Sequence, residues 1–297
     1  DLAWSRGLGD VYKRQEKSDF IKLEEERIEL RQNWMNEQNS AVYRSDALIN
    51  LTYSYLFENL DSVQSLNAQL LRFCKATQQD TALLNAYNYQ GFYLQSNGDY
   101  WNAMKYYKLS QQKAKLLKDT AQLAGVLVNM ASLYEGLAEI DKSTELNNTA
   151  LDMFRKIGSL EGQGLILLNL GSHSDDPELF IQYTRMAIDI FENKFTRPFE
   201  NNQIAWYLST CYSNLAVHFE ADSLHQDSSF YYYRKGLDHA IRYQINNQIS
   251  GCLGGLSSLY YSFGKYEIAL QYATKSYEFA LKTNYIHDIV LSTDILY

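Results

Sequence analysis

The chain of 297 residues has little of what interrupts a helix: only two prolines, Pro177 and Pro198, and 15 glycines. Long helices can therefore run with few breaks, since proline removes a donor and clashes inside a helix. Cysteine is equally scarce. Cys74, Cys211 and Cys252 are scattered, odd in number and without metal-ligand spacing, which excludes a disulfide framework and makes them small buried hydrophobes. No apolar run approaches the 18 or so residues of a membrane span. The formal net charge is −8, with no basic cluster, and that is a poor grip for phosphate backbones, so no nucleic acid is expected through this region. Neutral or basic peptides are easier partners. No Gly-rich phosphate loop, nucleophile elbow or His–Glu helix motif occurs, so no catalytic residue, cofactor or enzymatic activity is expected.

What is abundant is tyrosine, 25 residues of it, within a composition that is 46% hydrophobic and 21% charged. Tyrosine fills a helix interface while its hydroxyl stays near water, which suits thin, elongated folds with much half-buried surface. Residues 1–15 (DLAWSRGLGDVYKRQ) match nothing downstream, and Gly7 to Gln15 resembles a translated sequencing adapter, so this stretch is set aside as an artefact. The bland alternative is a native disordered tail. Residues 16–297 are then expected to form a single repeat domain cut at both ends.

The repeat is best formed at residues 84–120. Tyr87, Gln90, Gly91 and Leu94 lead to the turn Asn97-Gly98-Asp99-Tyr100, followed by Ala103, Tyr107 and Ser110. A second copy runs through Leu253, Leu256, Tyr260 and Phe263, the turn Gly264-Lys265-Tyr266, then Ala269, Ala273 and Ser276. Weaker copies lie between them: Leu127, Met130, Ala131, Tyr134 and Leu137; Leu167, Leu170 and Gly171; Tyr212, Leu215, Ala216 and Phe219. The small-residue position falls at 91, 131, 171, 216 and 257, at intervals of 40, 40, 45 and 41. Upstream, 42–58 and 61–77 read as a further pair, and 16–38 as a charged helix with Phe20, Leu23, Leu30 and Trp34 on one side. Downstream, Tyr285 to Tyr297 reads as the start of another helix.

This pattern resembles the tetratricopeptide repeat, with a period of about 40 in place of the standard 34, so each helix is lengthened by about one turn. The resemblance implies an all-α fold, a right-handed α–α superhelix of antiparallel helix pairs, whose first helices line a concave binding surface. Inward positions on that scheme are Asn129, Asn169 and Asn214, flanked by Asn85, Asn88, Phe92, Gln95, Val128, Ser132, Glu135, Leu168, Ser213 and Val217. The recurring asparagines offer donor and acceptor together, matching one peptide unit of an extended partner. The pattern is similar to the groove of kinesin light chains and of bacterial tetratricopeptide receptors for signalling peptides. Asparagine at this place equally suits a bond to the neighbouring helix, and both readings stay open. Lysine and arginine are missing from these positions, which argues against a clamp for a C-terminal carboxylate.

Two smaller features admit two accounts each. Gly251, Gly254 and Gly255 inside a helix either widen the groove or let it pack tightly against the Tyr231–Tyr233 helix; packing is favoured. His218, Glu220, Asp222 and His225 could be imagined as metal ligands but match no established spacing, so no metal is expected. The functional expectation is a protein or peptide-binding scaffold. The alternative is the sensory or regulatory region of a bacterial signalling protein, a histidine kinase or transcriptional regulator, with its output domain outside this chain.

Overall fold

The computed structural model describes residues 22–56, 59–174, 176–193, 198–220 and 226–282. The expected artefact at 1–15, Phe20, Asp222, His225 and the helix expected from Tyr285 lie outside them. The described residues are α-helical with no strand. A helix α1 (residues 22–35) is followed by α2 (Ala41–Tyr53), α3 (Leu60–Thr77), α4 (Asp80–Ser96), α5 (Tyr100–Leu117), α6 (Thr120–Gly136) and α7 (Ile140–Ile157). Then come α8 (Leu160–Ser172), α9 (Pro177–Asn193), α10 (Pro198–Glu220), α11 (Gln226–Arg242), α12 (Asn246–Ser262) and α13 (Tyr266–Ala280). Consecutive helices pack in pairs, α4 on α5, α6 on α7, α10 on α11 and α12 on α13, as the repeat spacing predicts. The chain divides into two compact units: Ile28–Ile190, and Phe191–Tyr297 with Asp1–Arg27.

The first unit is metrical at the level of the single helix. Backbone φ turns positive at Gln78 (55°), Gly98 (79°), Lys118 (55°), Ala138 (59°) and Gly158 (71°), each twenty residues after the last. At every one the next residue's N–H reaches back five residues to a helix carbonyl: Asp99 to Leu94, Asp119 to Ala114 and Glu139 to Tyr134, at 2.9–3.0 Å. This left-handed cap satisfies carbonyls that the helix end would otherwise leave bare. Asp99, Asp119 and Ser159 then open the following helices, each accepting a backbone N–H three residues on. The 40-residue period is thus two near-equal steps of helix, left-handed residue and cap.

In the second unit the same device recurs at Gln244 (54°) and Gly264 (70°), again twenty apart. Its first helix differs: α10 has 23 residues where α4, α6 and α12 have 17. Pro198 opens α10 and Pro177 opens α9, the helical position where a missing N–H loses no bond. The run after Gly171 ends α8 early at 13 residues, as expected from Ser172 to Pro177.

The small residues seat aromatic rings. A Cβ on Gly91 would lie 2.5 Å from Cε1 of Tyr107, which is fully buried, and one on Gly162 would lie 2.3 Å from the Phe154 ring. In the second unit a Cβ on Gly255 would lie 2.1 Å from Cζ of Tyr233, so the packing account holds for that glycine. Gly251 faces open space and has no such reason.

Candidate functional site

In the unit 28–190, the first helices of successive pairs meet through polar side chains. Nδ2 of Asn129 on α6 donates to Oδ1 of Asn88 on α4 at 2.9 Å. Further along the same helices, Nε2 of Gln95 donates to Oγ of Ser132 at 3.1 Å, and the Tyr107 hydroxyl donates to Oε1 of Gln95 at 2.8 Å. Asn85 instead bonds its own helix, at the Thr81 carbonyl 3.3 Å away. Two of the expected inward positions are misplaced. Val128 and Leu168 are buried at 4% and 3% exposure, because each lies one turn before a small packing residue, Ala131 and Gly171, and shares its face. Asn169 is half-buried, and Nδ1 of His173 lies 2.8 Å from its carbonyl.

Four residues beyond the small position a polar acceptor recurs. At Gly91 it is Gln95, held by Tyr107 of the paired helix. At Ala131 it is Glu135, whose Oε1 accepts from the Ser143 hydroxyl at 2.6 Å and from Nδ2 of Asn147 at 3.4 Å. Nδ1 of His173 stands 3.6 Å from the same oxygen. Asn147 is itself 2% exposed, and its Oδ1 finds no partner. In the unit 191–282 the equivalent is Glu220, which takes the Tyr233 hydroxyl at 3.0 Å and the Ser258 hydroxyl at 2.6 Å. Among the described residues no ion pair of Glu135 or Glu220 with a lysine or arginine occurs. Ser143 and Asn147 donate to the first carboxylate, and Tyr233 and Ser258 to the second, all as uncharged groups.

The other expected residues of the second unit behave individually. Ser213 places its Oγ 3.2 Å from Sγ of Cys252, Asn214 is half-buried, and Val217 is exposed at 59%. Phe92, in the first unit, is half-buried against the cluster around Leu70 and Tyr89.

Sequence reasoning missed Tyr107, Ser143, Asn147 and His173 as parts of this polar row. The signal existed as the repeated four-residue offset from the small residue. Glu220 entered only as an imagined metal ligand; among the described residues no cluster of three or more metal-type ligands occurs. The thiols do not add chemistry. Burial pushes Cys74 up to about 11 and raises Cys211 and Cys252 as well, so none is a ready thiolate at neutral pH. No described helix is long and apolar enough to cross a membrane.

Neither a family model nor a curated protein sequence matches the chain. Among solved structures it is similar to the crystal structure of BtubC (BKLC) from P. vanneervenii, at 20% identity and a TM-score of 0.53. The match covers 76% of this chain and 91% of that one. At that identity the likeness is one of fold: a helical-repeat protein made of packed helix pairs.

Proposed function

We propose that the chain is a protein-interaction scaffold, a long-period tetratricopeptide-like solenoid that holds an extended peptide or partner segment along its first helices. The observation that carries this reading is the Asn88–Asn129 pair. A single bond between two carboxamides uses the donor of one and the acceptor of the other. Whichever way the amides are turned, one donor group and one acceptor remain, the complement of one peptide unit. The carboxylates of Glu135 and Glu220, which accept from neutral hydroxyls, favour partners that are neutral or basic, in keeping with the net charge of −8. On this reading the chain acts by binding and carries no chemistry of its own.

The test is an array of extended neutral and basic peptides probed with the purified chain, followed by anisotropy on those retained. Asn88→Ala with Asn129→Ala is expected to weaken binding by about tenfold, the equivalent of one lost pair of backbone bonds. Asn129→Ala, Asn169→Ala and Asn214→Ala together should do at least as much. If both combinations leave every retained peptide bound as before, the groove reading fails.

A further inference from the structure

Near the start of the unit 28–190, α1, α2 and α3 enclose a cavity of about 330 Å³. Helical spacing builds it. Arg31, Trp34 and Met35 share one face of α1, and Ser62, Ser65, Leu66 and Gln69 share one face of α3. Leu51, fully buried, and Tyr55 close it from the end of α2. One wall is held in place by its own contacts. The Trp34 ring meets Phe73 edge to face with centroids 4.8 Å apart, the Arg44 guanidinium carbon stands 5.0 Å from the Trp34 centroid, and Nε of Arg44 donates to the Trp34 carbonyl at 2.9 Å. Among the described residues Arg31 is the one charged group in the lining, and it is exposed with neither a hydrogen bond nor an ion pair. Along α1 the carboxylate of Glu24 is taken by Arg27 at 2.6 Å. The hydroxyls of Ser62 and Ser65 have no partner among the described residues either; Ser62 uses only its backbone N–H, on Oδ1 of Asn59 at 2.9 Å.

We propose that this cavity is a binding site for a small free monocarboxylic acid with an aromatic or branched apolar body. The lining selects that class by charge and by size. An unpaired guanidinium and two unpaired hydroxyls offer donors without acceptors, which one carboxylate satisfies. The apolar body then lies against Trp34, Met35 and Leu66. An amino acid brings an ammonium group as well, and no carboxylate lines the cavity to meet it. A phosphate or dicarboxylate brings a second negative charge to a single cation in a chain of net charge −8. The volume is at the small end of the range of about 300–1,000 Å³ that ligand pockets occupy, so it suits a free acid better than a peptide carboxyl terminus with its backbone behind it. This site uses none of the residues of the amide row, so its success or failure is independent of the groove reading.

The experiment uses the whole chain and titrates 3-phenylpropionate against its neutral amide, 3-phenylpropanamide, by ligand-observed saturation-transfer NMR. The acid should bind at least about tenfold tighter than the amide, and its affinity should fall as salt rises from about 0.05 to about 0.2 M. Arg31→Gln should erase that preference at unchanged helical circular dichroism, while Asn88→Ala with Asn129→Ala leaves it intact. Met35, at 67% exposure, tests the apolar wall without touching the core: Met35→Gln should weaken acid and amide alike, by about threefold. Equal binding of acid and amide overturns the proposal, and so does a preference that survives Arg31→Gln. Phenylalanine binding as tightly as the acid would mean that the ammonium is accepted, and overturns it as well. N-acetylphenylalanine bound about tenfold tighter than 3-phenylpropionate would assign the cavity to a peptide carboxyl terminus. Sedimentation covers the remaining occupant: a dimer that Arg31→Gln dissolves, in a chain that ignores the acid, would assign the cavity to a second copy and overturn the proposal too.

Discussion

The two units join their helices by the same device and fill it differently. In residues 28–190 five left-handed caps keep a twenty-residue step, and the first helices of neighbouring pairs touch through amides and hydroxyls. In residues 191–282 the step is kept at Gln244 and Gly264, α10 is longer, and stacked rings occupy the joints. Tyr232 stacks on Tyr212 and on Phe219 with centroids 6.1 and 5.7 Å away, and Tyr260 stacks on Tyr272 at 5.3 Å. An amide contact is directional and keeps hydrogen-bonding valences on both side chains, whereas a stacked ring face is worth about 1 kcal/mol and adds none. The first unit therefore carries unfilled amide valences along its first helices. The second fills the same joints with rings.

The sharpest way to break the shared joint is to crowd it. Gly255→Ala is expected to destabilise the second unit by about 3 kcal/mol, because the added methyl meets the buried Tyr233 ring at 2.1 Å and overpacking outweighs the gain of about 1 kcal/mol in helix propensity. Gly91→Ala, with its methyl 2.5 Å from Tyr107, should lose about 2 kcal/mol in the first unit. Gly251→Ala and Gly125→Ala, where nothing stands within 4 Å, are the controls and should gain up to about 1 kcal/mol. Hydrogen exchange across the full chain, read peptide by peptide, reports each unit separately. Were the crowded and open glycines to respond alike, the rings would not be what the small residues are for.

A milder comparison removes one hydroxyl from each joint. Tyr107 donates to the neutral amide of Gln95 and Tyr233 to the carboxylate of Glu220. Tyr107→Phe should lose about 1 kcal/mol and Tyr233→Phe about 2, since a bond to a charged acceptor is the stronger. Urea titration of both variants checks the ordering. An equal loss would mean that Ser258, 2.6 Å from the other oxygen of Glu220, already satisfies that carboxylate.

The caps show how much of this fold was legible and where legibility stopped. Gly98 and Gly264 could be read as turns because glycine takes a positive φ without strain. Gln78, Lys118, Ala138 and Gln244 hold the same conformation at a cost of about 1 kcal/mol each, which the surrounding packing tolerates and the letters do not reveal. The repeat therefore read as a 40-residue unit, and its twenty-residue half-step stayed hidden. The asparagines at 129, 169 and 214 were visible as a pattern, yet the bond from Asn129 spans 41 residues to Asn88, which no local spacing announces. Val128 and Leu168 were misread because neighbouring positions on a helix differ by only about 100°, enough to turn an inward residue into a core one. Ala138→Gly and Lys118→Gly should each stabilise the first unit by about 1 kcal/mol, and Gly98→Ala should do the opposite, in thermal unfolding.

The smallest expected effect separates the units by pH. His239 stacks on Tyr212 with centroids 5.8 Å apart, and burial together with Arg242 depresses its pKa below the usual 6.5. Unfolded, the imidazole takes a proton near its ordinary value; folded, it resists until lower pH. The stability that comes from keeping it neutral is thus fully present above about pH 6.5 and is lost as pH falls through the folded pKa. Between pH 7.5 and pH 5 the exchange protection of 226–242 should decline with the slope of a single proton, and His239→Gln should flatten it. The peptides of α4 and α6, which contain no histidine, serve as the internal reference. A decline that persists in His239→Gln would locate the sensitivity elsewhere in the second unit and remove this residue from the account.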